Sequence, residues 1–99
     1  MFIFEWDEEK AKTNLRKHKV SFEEAETIFN DESLITFPDE IHSIEEERFI
    51  SIGYSIINRV LLVVHTENSE QDKEIVIRII SCKKATALER EIYEQQEER

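Results

Sequence analysis

Residues 78–95 read RIISCKKATALEREIYEQ and gather Arg78, Lys83, Lys84 and Arg90 in one short stretch. Guanidinium and ammonium groups spaced this way suit a phosphate. Thr86 and Glu89 form the S/T-x-x-E pattern that opens a helix, so a helix is expected from Ala87 with both lysines in the turn before it. The first turn of a helix leaves backbone N–H groups free to receive an anion. Arg90, about one turn in, offers a planar fork matched to phosphate oxygens. Arg78 lies in the apolar run IVIRII, where a guanidinium is costly to bury unless it is paired or reaches an opening. The plainer reading pairs Arg78 with Glu89 or Glu67 and leaves the lysines as a solvated turn.

Other side chains could move protons. His65 ends an apolar strand beside Thr66 and Glu67, either as an acid–base group or as a half-exposed edge residue. His42 sits in the acidic loop PDEIHS, as an acid–base group or as a loop residue bonded to backbone. His18, near a helix end, is better read as packed or capping. Arg48 opens a strand after three glutamates, and Tyr93 follows Thr86 and Arg90 at helical spacing. Asp39, His42 and Glu46 match no recognised ligand spacing and there is no Cys/His cluster, so neither a metal nor another cofactor is expected. The single glycine, Gly53, excludes the glycine-rich phosphate loops, and Ser21 and Ser43 lack a nucleophile-elbow context. No RNP or zinc-finger motif is present.

These residues need a scaffold. FIFEW reads as a short strand and Asp7 as the cap of a first helix with an inward stripe of Ala11, Leu15 and His18. Lys12, Arg16 and Lys19 fall on another face. Ser21 and Glu24 repeat the capping-box pattern before a second helix that buries Phe22, Ala25, Ile28 and Phe29. A strand is expected over 33–37, stopped by Pro38, then a hairpin of Arg48–Tyr54 and Arg59–Thr66, a loop over 67–74, and a strand over 75–81. In the last helix Leu88 and Ile92 are expected to face the sheet, and the tail to 99 to be solvated. The order β-α-α-β-β-β-β-α defines an α+β fold with a mostly antiparallel sheet.

Ninety-nine residues suit one domain spanning 1–99. Cys82, the lone cysteine, cannot form an internal disulfide and fits a reducing cytoplasm. The start lacks a signal peptide, and the apolar run Val60–Val64 is too short to span a bilayer, so no membrane association is expected. The formal net charge is -10, but it is segregated: residues 21–47 carry ten acids and no Lys or Arg, whereas residues 1–20 sum to +1. An acidic background opposes nucleic acid at long range, so any binding must use local cations.

The segments FEWD, NLRKH, VSFEEA, FPD, HS, EER, RIIS and AT––ER––Y, in order from Phe4 to Tyr93, resemble the BrnT toxin family. The resemblance implies a compact RelE-like fold and a bacterial ribonuclease toxin of a type II toxin–antitoxin pair. It implies a DNA-binding BrnA-like antitoxin as partner in a hetero-oligomer that represses its own operon, and RNA as substrate. Metal-free cleavage would deprotonate a ribose 2′-OH and stabilise the adjacent phosphate. On that reading His65 or Glu67 is the base, Arg78 and Arg90 hold the reacting phosphate, and Tyr93 bonds or stacks on a base. Arg48 is a further catalytic candidate, and Lys83, Lys84 and His42 are substrate-binding candidates. Lys19 stands where these proteins usually have Gly, Asn68 and Ala87 where a basic residue is common, and Cys82 where a small residue is usual. Fewer cations favour a second reading, a toxin-like module that docks the antitoxin without cutting. Direct DNA binding by this chain is disfavoured by its charge.

Overall fold

The computed structural model describes residues 2–70 and 74–97. The elements are β1 (Phe2–Glu5), α1 (Glu8–His18), α2 (Phe22–Glu26), a 3-10 turn (Thr27–Asn30), β2 (Ile35–Pro38), a second 3-10 turn (Glu40–His42), β3 (Phe49–Tyr54), β4 (Val60–Glu70), β5 (Glu74–Lys84) and α3 (Ala87–Glu97). The five strands form one sheet in the order β1-β5-β4-β3-β2, antiparallel except for the β1–β5 pair. This is the expected α+β order. Strands β4 and β5 run further than expected, to Glu70 and from Glu74, so most of the predicted loop is strand and residues 71–73 lie outside the described residues. The tail beyond residue 97 also lies outside them. Pro38 belongs to β2 as its last residue, which an edge strand tolerates because its N–H side needs no ladder partner.

Alternation along β4 and β5 sends side chains to two faces. One face packs Leu61, Val63, Ile77, Ile79 and Cys82 against Val20, Phe22, Ala25 and Ile28 from the α1–α2 layer. The other packs Ile52, Val60 and Leu62 against Tyr93 of α3. A bulge between Val64 and His65 sets Ile80 apart in the register, since Val64 pairs with Ser81 and His65 with Ile79. Gly53 lies where the sheet meets the 3-10 turn. A Cβ there would stand 2.9 Å from Leu34 Cδ1 and 3.3 Å from Ile28 Cβ, so any larger residue must push the Leu34 side chain aside.

The inward stripe of α1 differs from the apolar one expected. Leu15 is 49% exposed, whereas Asn14 is buried. The reason is polar. Asn14 Nδ2 donates to Cys82 O and to Val20 O, both at 2.9 Å, and Cys82 N donates to Asn14 Oδ1 at 3.0 Å. Strand β1 pairs with β5 only as far as Glu5–Arg78, so the peptide of Cys82 has no strand partner on that side. The Asn14 carboxamide takes the place of one. A hydrophobic residue there would leave buried backbone groups unpaired.

α1 ends at Lys19, which adopts the left-handed conformation (φ 61°) and donates its N–H to Leu15 O. Glycine is favoured in that geometry, so lysine adopts it at a small steric cost. Asp7 caps the other end through Glu9 N and Lys10 N. At α2 only half of the expected capping box forms. Ser21 Oγ accepts from Glu24 N, but the Glu24 carboxylate turns away to accept from Arg59 Nε at 2.8 Å, from the Arg59 terminal nitrogen, and from Ser55 Oγ. The pair ties α2 to the β3–β4 turn. Its hydrogen bond from Arg59 is the largest influence on the Glu24 carboxyl, holding it below its ordinary range against the opposing effect of burial.

Cys82 is a free, buried thiol, pushed up to about 12 chiefly by burial. It packs as an apolar side chain beside the Asn14 amide. Asn14→Ala is expected to lower unfolding free energy by about 2–4 kcal/mol, because three buried backbone groups lose their partner. Denaturant titration measures the loss, and faster Cys82 alkylation under native conditions should accompany it.

Candidate active site

The loop from Pro38 to Arg48 is closed at its base by Asp39 N donating to Arg48 O at 2.8 Å. Ser43 Oγ donates to Asp39 O and accepts from Arg48 N at 2.9 Å. These bonds hold the short turn that carries His42. Its Nδ1 lies 3.0 and 3.1 Å from the two carboxylate oxygens of Asp39, which is buried while His42 is exposed. A carboxylate only accepts, so in the neutral ring Nδ1 carries the hydrogen and Nε2 the lone pair. An i,i+3 acid–imidazole pair thus presents one basic nitrogen outward.

Two adjoining cavities border this pair on the α3 side of the sheet. One, about 520 Å³, is lined by His42, Glu46, Arg48 and Arg78 with Ile41, Ile44 and Glu45. The other, about 460 Å³, includes Asp39, His42, Arg48, Ser81, Lys83 and Glu89 in its wall. Ile41, His42 and Arg48 belong to both. Arg48 Nε and the hydroxyl of Thr66, which stands opposite Arg78 in the ladder, are buried without a hydrogen-bond partner.

The groove cations hold internal carboxylates. Arg78 donates to Glu46, and Arg48 lies 3.9 Å from the same oxygen. Neither Glu89 nor Glu67 is the partner of Arg78, as the plainer sequence reading had it; Glu46, from the far loop, is. Lys83 donates to Glu89 at 2.8 Å. Glu89 completes the expected capping box, accepting from Thr86 N at 2.9 Å while Thr86 Oγ1 accepts from Glu89 N. Burial raises the Glu89 carboxyl, and the bonds from Lys83 and Thr86 overcome that, so it lies below its ordinary value. The entrance to α3 therefore receives this carboxylate, and the lysines are the last residues of β5 rather than a turn.

Four expectations need correction. His65 is fully buried, flanked by Phe29 and Phe49 with ring centroids 5.1 and 6.0 Å away. Its Nε2 lies 2.7 Å from Ser51 Oγ, which is 2.7 Å from Thr36 Oγ1. Burial pushes the imidazole down to about 4, so it is neutral and out of reach of a substrate. Tyr93 is also fully buried. Its hydroxyl donates to Asp31 and its ring meets Tyr54 edge-on at 5.7 Å, so it supports α3 rather than offering a surface for a base. Arg90 lines neither cavity and binds Glu94 and the Tyr54 hydroxyl, so it does not converge with Arg78. Leu88 (68% exposed) and Ile92 face away from the sheet, because Tyr93 occupies the inward position.

Glu67 and Lys84 also stand apart from the groove. Alternation puts Glu67 on the face opposite Arg78, where burial and then Glu47 raise its carboxyl above the ordinary range. Lys84, exposed, alternates to that face too. Of the nine singled-out residues, the structure brings Arg48, Arg78, Lys83 and His42 together. Asp39, which sequence reading treated only as a weak metal ligand, joins them as the holder of His42; its i,i+3 spacing from a histidine was the available signal. Among the described residues no three His, Cys, Asp or Glu side chains gather closely enough to hold a metal ion.

The geometry defines a one-domain α+β protein with a cation-lined groove and an oriented imidazole, a class suited to phosphodiester chemistry. The family model described as "Ribonuclease toxin, BrnT, of type II toxin-antitoxin system" matches residues 6–89, and the chain belongs to that family. The crystal structure of the Brucella abortus ribonuclease toxin BrnT superposes with a TM-score of 0.59 at 26% identity, covering 87% of this chain and 97% of that one. The compact RelE-like architecture is thereby established. No curated protein matches the sequence. No helix among the described residues is long and apolar enough to cross a membrane.

His65 has a consequence for stability. Its folded value lies below the usual imidazole value, so the unfolded chain binds the extra proton and stability falls as pH drops from about 6.5 towards 4. The loss is expected to reach about 3 kcal/mol at the acid end. Chemical denaturation at pH 7 and pH 4.5 measures it, and His65→Gln should flatten the slope in that window.

Proposed function

We propose that the chain cleaves RNA without a metal, in the groove between the 39–48 loop and the start of α3. The observation that carries this reading is His42, held by buried Asp39 at 3.0 Å and bordering both cavities together with Arg48. His42 Nε2 takes the proton of a ribose 2′-OH. The 2′ oxygen then attacks the adjacent phosphorus, and the bond to the 5′ oxygen breaks. The products are a 2′,3′-cyclic phosphate and a 5′-hydroxyl, whose proton comes from water. Arg48 and Arg78 stabilise the charge gathering on the phosphoryl oxygens, and Lys83 holds a neighbouring phosphate. A substrate phosphate displaces Glu46 from Arg78 in doing so. Asp39 is a positioning residue that fixes the His42 ring.

Membership of a type II toxin–antitoxin family implies an antitoxin partner. We take that partner to be BrnA-like, bound in a hetero-oligomer in the cytoplasm. Ile41 and Ile44 are 81% and 89% exposed at the mouth of the groove, beside Glu40, Glu45, Glu46 and Glu47. An apolar pair set among acids suits a basic amphipathic segment, and occupation of this rim would close the groove to RNA. The complex should weaken as salt rises, by a measurable increase in dissociation constant between low and physiological ionic strength; a salt-indifferent complex would count against this placement.

The cleavage reading is tested with partner-free protein and RNA in EDTA. His42→Ala is expected to slow cutting by roughly 10²–10⁴-fold. Arg48→Ala with Arg78→Ala should abolish it, with circular dichroism confirming the fold. RNA left intact by the native chain at high concentration would favour instead a module that only docks the antitoxin.

A further inference from the structure

Charge pairing divides the cations of this chain into two sets. Arg48, Arg59, Arg78, Lys83 and Arg90 each lie against a carboxylate, and so does Lys12 of α1, against Glu9. Among the described residues Lys10, Arg16, Lys17, Lys19 and Lys84 form no ion pair, and four of these five belong to α1 or its cap. Among the described residues the unpaired positive charge is therefore concentrated on α1 and its cap.

That helix lies along the side of β5 that β1 does not cover, because the β1–β5 ladder stops at Glu5–Arg78. Between α1 and this edge is a cavity of about 310 Å³, lined by Glu9, Lys10, Thr13, Asn14, Lys17 and His18 with Ile80 and Ser81. Ile80 and Ser81 also line the 460 Å³ cavity that holds His42, Arg48 and Lys83. The bulge at this point of the sheet leaves a two-residue sill between the hollows. Lys10 and Lys17 stand on one stripe of the helix, about 10 Å apart along its axis (seven residues at about 1.5 Å each). Glu9, the one acid in this wall, lies 3.6 Å from Lys12.

We propose that the α1 cleft is a second subsite, in which the phosphate backbone of single-stranded RNA continues over Ile80 and Ser81 from the groove and is gripped by Lys10 and Lys17. This rests on the cleavage reading and adds the path of the flanking nucleotides. The contacts are to phosphates, so the subsite is indifferent to sequence and raises affinity with length. It also explains how RNA can bind a chain of net charge -10: the groove cations must first release their carboxylates, whereas Lys10 and Lys17 need release nothing.

The test uses 2′-O-methyl oligonucleotides of three and nine nucleotides, which cannot be cut, with binding followed by fluorescence anisotropy across a salt series. The nine-mer should bind the native chain more tightly than the three-mer. Lys10→Gln with Lys17→Gln should weaken nine-mer binding about tenfold at low salt, and make the slope of log affinity against log salt shallower by about 1.4, from about 0.7 per single-strand phosphate contact. Lys10→Arg with Lys17→Arg should restore both. A glutamine variant that binds the nine-mer as the native chain does overturns the subsite, and if it also binds the antitoxin less well the face belongs to the protein partner. Arg48→Ala with Arg78→Ala reports separately: unchanged three-mer binding in that variant sinks the groove reading, whatever the α1 variant does. A native chain that binds neither oligonucleotide at low salt overturns both.

Discussion

The carboxamide of Asn14 ties α1 to the open edge of the sheet. It meets the peptide of Cys82 with one donor and one acceptor, as a neighbouring strand would, and its second donor bond reaches Val20 O where the chain turns towards α2. Strand β1 is too short to cover all of β5, and an uncovered edge leaves backbone groups without partners. One side chain supplies the missing pairing and fixes α1 against the sheet. That contact places the unpaired lysines beside the bulge at Ile80 and leaves Cys82 inert beneath them.

The sheet separates packing from chemistry. One face is covered by α1 and α2, and His65 is buried there as a neutral part of the Thr36–Ser51–His65 chain. The other face is covered only in part, because α3 docks through Tyr93 over Ile52, Val60 and Leu62. The uncovered part holds Arg48, Arg78 and Lys83, and the acidic loop brings His42 to it. A longer or more apolar α3 face would bury that surface. The aromatic anchor at Tyr93, bonded to Asp31, keeps the helix to one end of the sheet.

Electrostatics in this chain are local. Glu46, Glu89, Glu24 and Glu94 each neutralise a cation, so the net charge says little about where an anion can bind. The groove is held in a self-paired state that a polyanion must open, and the α1 cleft is not. The two kinds of cation differ in what they ask of a ligand, displacement in one case and simple attraction in the other.

Much of the scaffold was readable from sequence. The Asp7 cap, the Thr86–Glu89 box, the succession of helices and strands along the chain and the apolar runs of β4 and β5 depend on neighbours a few residues apart, where side-chain period and capping chemistry act. The phosphate-suited residues Arg78 and Lys83 were visible for the same reason, as types set in an unusual local context. What lay beyond the sequence were the partners across the fold: Glu46 for Arg78, Asp31 for Tyr93, Arg59 for Glu24, and Cys82 for Asn14. These separations run from 32 to 68 residues, and a short-range pattern carries no information about them. Hence the sequence by itself determined the elements and the supply of cations, while the tertiary structure decided which cations meet, which histidine reaches solvent and which is buried, because burial and pairing are properties of surfaces formed only when distant segments pack.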